Sequence, residues 1–157
     1  MLFRSISLIV NTQRQMAASC ARLAAQTEGV LHQTPAWELA RVTGRHAARK
    51  DWPERWAAAG SACGFEGALQ NRFVALKDSP IWQALGDGAG GFRDTLGNPY
   101  PPFAYGSGMG WIGVARAECV RLGLMGEDDE VGRPDGGSLS PTEKELAEAA
   151  ERFGIAI

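Results

Sequence analysis

The sequence predicts an α+β fold dominated by helices: one domain with a small β-sheet, a long ordered loop and a capped helix at the C-terminal end. Three observations predict it. Apolar residues recur at helical spacing over several stretches, with glycines after them. Only short runs, Arg72-Phe-Val-Ala-Leu76 foremost, carry the β-branched and aromatic character of strands. Residues 86–110 hold eight glycines and three prolines together with Phe92, Tyr100, Phe103 and Tyr105, a mixture that suits neither helix nor linker. At 157 residues, a single domain should bury roughly 70 % of the surface its unfolded chain exposes, enough for a hydrophobic core without staples.

In chain order, Ile9, Met16, Cys20, Leu23 and Ala24 recur near a period of 3.6 between Arg14, Arg22 and Gln26, which predicts a helix over 7–28 stopped by Gly29. Trp37 and Leu39 alternate with Glu38 and Ala40, so Trp37–Val42 reads as extended. In Asp51-Trp-Pro-Glu54 an N-cap acceptor stands three residues before a glutamate and a proline sits in the first turn, predicting a helix from Trp52 to Ala59 ended by Gly60. Ser79-Pro-Ile-Trp82 repeats that grammar, with Gly86 as the stop. After the glycine-rich loop, Ile112, Ala115, Cys119 and Leu122 predict a helix over Trp111–Leu122, with Gly123 following it. Glu127–Gly137 reads as an acidic linker, and Ser140-Pro-Thr-Glu143 is a capping box opening a helix striped by Leu146, Ala149, Ala150 and Phe153. The expected organisation is a domain over 1–125, a linker over 126–139 and an amphipathic helix over 140–157.

Composition narrows the classes. The hydrophobic fraction of 45 % and charged fraction of 22 % argue against wholesale disorder. No run approaches the roughly 18 apolar residues of a membrane span, and Leu2–Val10 carries an arginine and lacks a cleavage pattern after it, against a signal peptide. Cys20, Cys63 and Cys119 are odd in number and widely spaced, which reads as reduced, buried thiols in a cytosolic setting. Charge is uneven. Residues 1–60 carry eight Arg or Lys against four acids, whereas 126–157 carry three against nine. Such a gradient suits a charged partner, although ordinary solvated faces produce the same pattern.

Gly86-Asp-Gly-Ala-Gly-Gly91 matches the spacing of a dinucleotide fingerprint, but a helix pattern enters it and none leaves it, so the context fails. His32 and His46 have no metal-ligating neighbours at the right spacing, and Ser107 lacks the strand and spacing of a nucleophile elbow. Asp87, Asp94 and Glu118 are carboxylates that the sequence alone does not bring together. This reading assigns no catalytic, cofactor-binding or metal-binding residue, and no enzyme activity. Arg45, Arg49, Lys50 and Arg55 flank Trp52 and Trp56, a basic and aromatic mixture that can hold a nucleic-acid backbone; the alternative is core tryptophans with solvated arginines beside them. Phe103, Tyr105 and Trp111, with Leu146 and Phe153 of the final stripe, are the candidate partner interface.

Four segments carry a family resemblance: Pro35-Ala-Trp-Glu-Leu-Ala-Arg-Val, Asp51-Trp-Pro-Glu-Arg-Trp, Ala75-Leu-Lys-Asp-Ser-Pro-Ile-Trp-Gln-Ala-Leu-Gly and Asp94-Thr-Leu-Gly-Asn-Pro-Tyr-Pro-Pro-Phe-Ala-Tyr. Together they resemble the C-terminal part of phage head morphogenesis proteins, the minor head proteins similar to the F protein of phage Mu, over roughly residues 5–125. The resemblance implies a non-enzymatic head or virion component that acts with the portal in capsid assembly and DNA packaging. It implies portal or other head proteins as partners, non-specific DNA contact in some relatives, no membrane, and a place in the host cytoplasm during assembly or in the virion. Many relatives follow the proline segment with a Cys-Arg-Cys-like cluster. This chain has Pro101-Pro-Phe-Ala-Tyr-Gly-Ser-Gly there, so no metal or cysteine role carries over. The N-terminal portion usual in the family is not recognisable, and Met1 is expected to begin a shortened gene or a separately encoded half. The readings from other classes are a small enzyme or toxin domain with the Gly86–Gly110 loop as its pocket wall, and a nucleic-acid-binding module on the basic N-terminal third.

Overall fold

The structure, a computed structural model, describes residues 2–44, 49–65 and 69–134. Its order is α1 (Leu2–Ala24), α2 (Glu28–Gln33), β1 (Ala36–Arg41), α3 (Trp52–Cys63), β2 (Val74–Leu76), α4 (Ile81–Gly86), β3 (Met109–Val114) and α5 (Arg116–Arg121). The three strands form one antiparallel sheet in the order β2-β1-β3, so the fold is α+β.

Alternation along β1 sorts the chain into layers. Trp37 pairs with Ala75 and Gly113, and Leu39 with Trp111, which puts these residues on one face. That face meets α3, α4, the aromatic loop and the C-terminal end of α1 in a core of Trp37, Trp52, Trp56, Trp82, Tyr100 and Phe103 among others. Trp37 and Trp111 stack with centroids 3.7 Å apart, and Trp82 meets both edge-on. Such ring pairs add about 0.5–1.5 kcal/mol each beyond the area they bury. On the opposite face Ala36, Val74 and Val114 pack with Cys119, Leu122 and Met125 in a smaller core.

Several expected elements change extent or kind. The first helix begins at Leu2 and ends at Ala24, and Gly29, the expected stop, lies inside α2. That short helix is opened instead by the Thr27 hydroxyl, which accepts from the Val30 amide. Helix α3 runs through Gly60 to Cys63, because the residue that adopts the left-handed capping conformation is Gly64, at φ 74°. Gly60 is instead a contact glycine, since a Cβ there would stand 2.4 Å from the Phe65 carbonyl oxygen. The expected helix over Trp111–Leu122 is corrected to a strand followed by the single short helix α5. Ile112, Ala115, Cys119 and Leu122 fit a helical period, but Gly110 and Gly113 weaken a helix, and pairing with β1 satisfies six residues of backbone at once.

The loop between α4 and β3 is ordered and packed, as expected. Every residue from Asn98 to Ala104 is buried. Leu96 and Phe103 are joined by a backbone hydrogen bond of 3.0 Å, and Thr95 bridges Ala104. Gly86 makes the close approach possible, because a Cβ there would fall 2.0 Å from the Asn98 carbonyl oxygen. Phe103 holds φ 59°, which a side chain of this size adopts only when its surroundings impose it.

Residues 127–134, the described part of the expected linker, lie against the domain. Arg116 donates to the carbonyl oxygens of Glu127 and Asp129, the Gly132 amide donates to Asp78, and Val131 packs on the smaller core. The expected helix over 140–157, with Leu146 and Phe153, lies outside the described residues, as does Arg45. Among the described residues no helix is long and apolar enough to cross a membrane.

Candidate functional site

Two arginine clusters and one cleft gather the charged groups. The first cluster grows from the start of α3. Asp51 and Arg55 stand one helical turn apart, and Arg55 Nε donates to Asp51 Oδ2 at 2.8 Å. From the loop Asp94 receives Arg55 at 2.7 Å and also Arg49, which in turn donates to the Tyr105 carbonyl oxygen at 2.9 Å. Arg55 is 5 % exposed and its guanidinium lies 4.2 Å from the Phe92 ring centre. Burial raises the Asp94 pKa, but the hydrogen bonds from Arg55 and Arg49 outweigh it and hold the carboxyl below its ordinary value.

Two of the four residues considered for nucleic-acid contact are thus engaged within the protein. Arg55 is buried and Arg49 is bonded to the loop, so both act as cross-links between α3 and residues 94–105. Lys50 is exposed. Of the residues considered for a partner interface, Phe103 and Trp111 are core side chains, and Tyr105, 48 % exposed, is the described member that reaches solvent. A run of aromatics within a glycine-rich segment is equally compatible with an interface or a core. The tertiary structure decided for the core because these rings fill the space between α4 and the sheet.

The second cluster joins residues that no local pattern in the sequence brings together. Arg72 forms a two-pronged pair with Glu38 of β1, at 2.9 and 2.7 Å, and donates to Glu118 of α5 at 2.6 Å. Glu118 also receives Arg121 through two bonds. Hydrogen bonds from Arg121 and then Arg72 lower the Glu118 pKa to about 2, and those from Glu38 and Glu118 raise that of Arg72. Asp94 and Glu118 therefore do stand near second carboxylates, Asp51 and Glu38, but an arginine lies between the members of each pair. Such pairs cross-link; the bridging cation removes the like-charge repulsion that would raise one carboxyl into the range of a general acid.

The cleft holds about 260 Å³ and is walled by Leu23, Trp37, Trp82, Pro99 and Pro134, with Lys77, Asp78, Ser79 and Gln83 as polar members. The Gly86–Gly110 loop contributes Pro99 to it. Lys77, 2 % exposed, follows β2 directly; its ammonium donates to Gln26 Oε1 at 2.6 Å and Thr34 Oγ1 at 3.1 Å and lies 5.2 Å from the Trp37 ring centre. No carboxylate pairs with it among the described residues. Burial, and then the nearby charge of Arg22, lower its pKa to about 8. Two oxygens and a ring face already occupy the ammonium, which thereby ties α2 and the α1–α2 turn to the end of β2. A pattern-based reading had no signal for this residue, because an isolated lysine in sequence is normally a surface group.

Gly86, Gly88 and Gly91 do not form a phosphate cradle. Helix α4 runs into Gly86, and the chain turns at Gly88 and Gly91 with φ 74° and 89°. Ser107 donates from its hydroxyl to the Pro102 carbonyl oxygen at 2.6 Å and accepts from the Met109 amide, so its side chain fastens the turn into β3. Among the described residues no group of three or more His, Cys, Asp or Glu side chains is placed to hold a metal ion. Comparisons with family models, with curated proteins and with solved structures return no match to this chain.

Proposed function

We propose that the chain is a structural or assembly component of a phage or prophage head, acting with the portal in capsid assembly and DNA packaging. The observation that carries this reading is that the four segments of the resemblance are the parts of one core. Pro35–Val42 contains β1, Asp51–Trp56 opens α3, Ala75–Gly86 spans the end of β2 and all of α4, and Asp94–Tyr105 is the buried loop. Trp37, Trp56, Trp82, Tyr100 and Phe103, drawn from all four, pack together. Residues dispersed over 71 positions, from 35 to 105, thus recur as a cooperating set, as expected when the resemblance is to a folded unit.

Within this reading the partner is protein first. Arg49 and Arg55 are engaged with Asp94, which leaves Lys50 as the free described member of the proposed DNA-contacting set and favours portal or other head proteins over DNA. Co-expression with the portal protein of the encoding genome tests the proposal. Co-purification of the chain with portal rings is the expected result; rings that form without retaining it, under conditions where both are folded, overturn it. Retention on DNA that falls steeply with salt and survives Arg49→Gln with Arg55→Gln would favour the nucleic-acid-binding module instead.

A further inference from the structure

We propose that the cleft between the end of β2, α4 and the C-terminal end of α1 is a binding site for a small monocarboxylate with an apolar body, its carboxylate received by Lys77 and Trp37. Two donors in the walls of this one cleft call for an acceptor that the described residues do not supply. Lys77 is 2 % exposed, and the partners of its ammonium, Gln26, Thr34 and the Trp37 ring, are all neutral. Its charge therefore has no counter-ion among the described residues. The two oxygens take two of its three N–H groups. Trp37 is 1 % exposed, and its indole Nε1–H meets no acceptor among the described residues either. A buried charge without an opposite charge and a buried donor without an acceptor are both costly, and one carboxylate answers both.

The walls set the rest of the ligand. Leu23, Pro80, Trp82 and Pro99 present apolar surface, so the body that accompanies the carboxylate is apolar. A volume of about 260 Å³ lies below the roughly 300–1,000 Å³ of sites for drug-sized molecules, which limits that body to a single ring or a short alkyl chain. One ammonium matches one negative charge. A phosphate or a dicarboxylate would bring a second charge into an apolar space with nothing to balance it. Asp78, an exposed member of the same cleft that accepts from the Gly132 amide, repels such a second charge as well. The other groups whose charge bears on Lys77 are Arg22, which also favours an anion, and Cys119, a buried thiol that burial keeps in its neutral form.

The test adds phenylacetate to the full chain and follows it by heteronuclear NMR. Saturable binding at pH 7 that moves the Trp37 indole N–H signal is expected, with the uncharged analogue phenylacetamide at least about tenfold weaker. Because burial lowers the Lys77 pKa to about 8, the ammonium fraction falls between pH 7 and pH 9. Affinity for the acid should fall about tenfold over that range, while affinity for the amide stays level. Acid and amide bound equally, an affinity for the acid that does not change with pH, or a Trp37 signal that the acid never moves would each overturn the proposal, and none of these arms needs a variant to fold. Displacement of the acid by inorganic phosphate overturns it in favour of a general anion site. Binding of the acid that survives Lys77→Met places the ligand elsewhere and overturns it too.

Discussion

The loop between α4 and β3 and the first half of α1 reverse the usual association of regular structure with burial. The loop has neither helix nor strand, yet its seven residues from Asn98 to Ala104 are all buried. The first half of α1 is continuous helix, yet residues 6–11 are all exposed. Backbone satisfaction explains the difference. A helix meets its own N–H and C=O groups and can project into water. A buried irregular segment must find partners one at a time, as in the Leu96–Phe103, Gly86–Gly97 and Ser107–Pro102 bonds. Regularity therefore does not locate the core of this molecule. Large rings beside glycines that permit close approach do.

If that contrast is right, the largest effect should come from a methyl group at the loop's tightest contact. Gly86→Ala drives a Cβ against the Asn98 backbone, which has no flexible end to yield. It is expected to cost about 3 kcal/mol, read as a lowered midpoint in chemical denaturation. A cost under about 0.5 kcal/mol would mean that the loop moves freely and is not part of the core.

Lys77 tests burial by titration. Its folded pKa of about 8 lies below the ordinary 10.5, so the unfolded chain binds more protons between those values and stability must rise with pH across that window. Unfolding measured from pH 7.5 to 10.5 should show the native protein gaining about 3 kcal/mol relative to Lys77→Met. Parallel curves for the two proteins would show the ammonium to be solvated.

A smaller effect is expected where the loop is fastened at the surface. Asp94→Asn keeps the shape but removes the charge that faces Arg49 and Arg55. With the Asp94 side chain 38 % exposed, solvent screening limits the expected loss to about 1 kcal/mol. Because the folded pKa lies below the ordinary value, this contribution is present above the normal carboxyl range and disappears as pH falls through the depressed folded value. The difference between variant and parent should therefore shrink in acid. The smallest effect belongs to the other side of the comparison: Ile6→Gln on exposed α1 should change global unfolding by less than about 0.5 kcal/mol, since any contact there opens locally before the core does.

Much of the secondary structure was legible because local chemistry dictates it. Pro53 and Pro80 at helix starts, the alternation around Trp37 and the stop at Gly86 each act within a turn or two of the chain, and the structure follows them. The candidate sites were less legible. Arg55 was distinguishable as a basic residue beside tryptophans, but its two carboxylate partners lie 4 and 39 positions away. The Glu38–Arg72–Glu118 set spans two strands' surroundings and a helix, with no local sign of its existence. Composition and local pattern determined by themselves that this chain is α+β, that its helices dominate, and that its glycine- and proline-rich stretch is ordered, since these follow from backbone preference and the need to bury aromatic rings. Only the tertiary structure decided that Met109–Val114 is a strand and that Phe103 and Trp111 face inward. It alone turned Arg55 and Lys77 from surface cations into buried fasteners. Pairing and burial depend on what lies across the space from a residue, and neighbours along the chain do not carry that information.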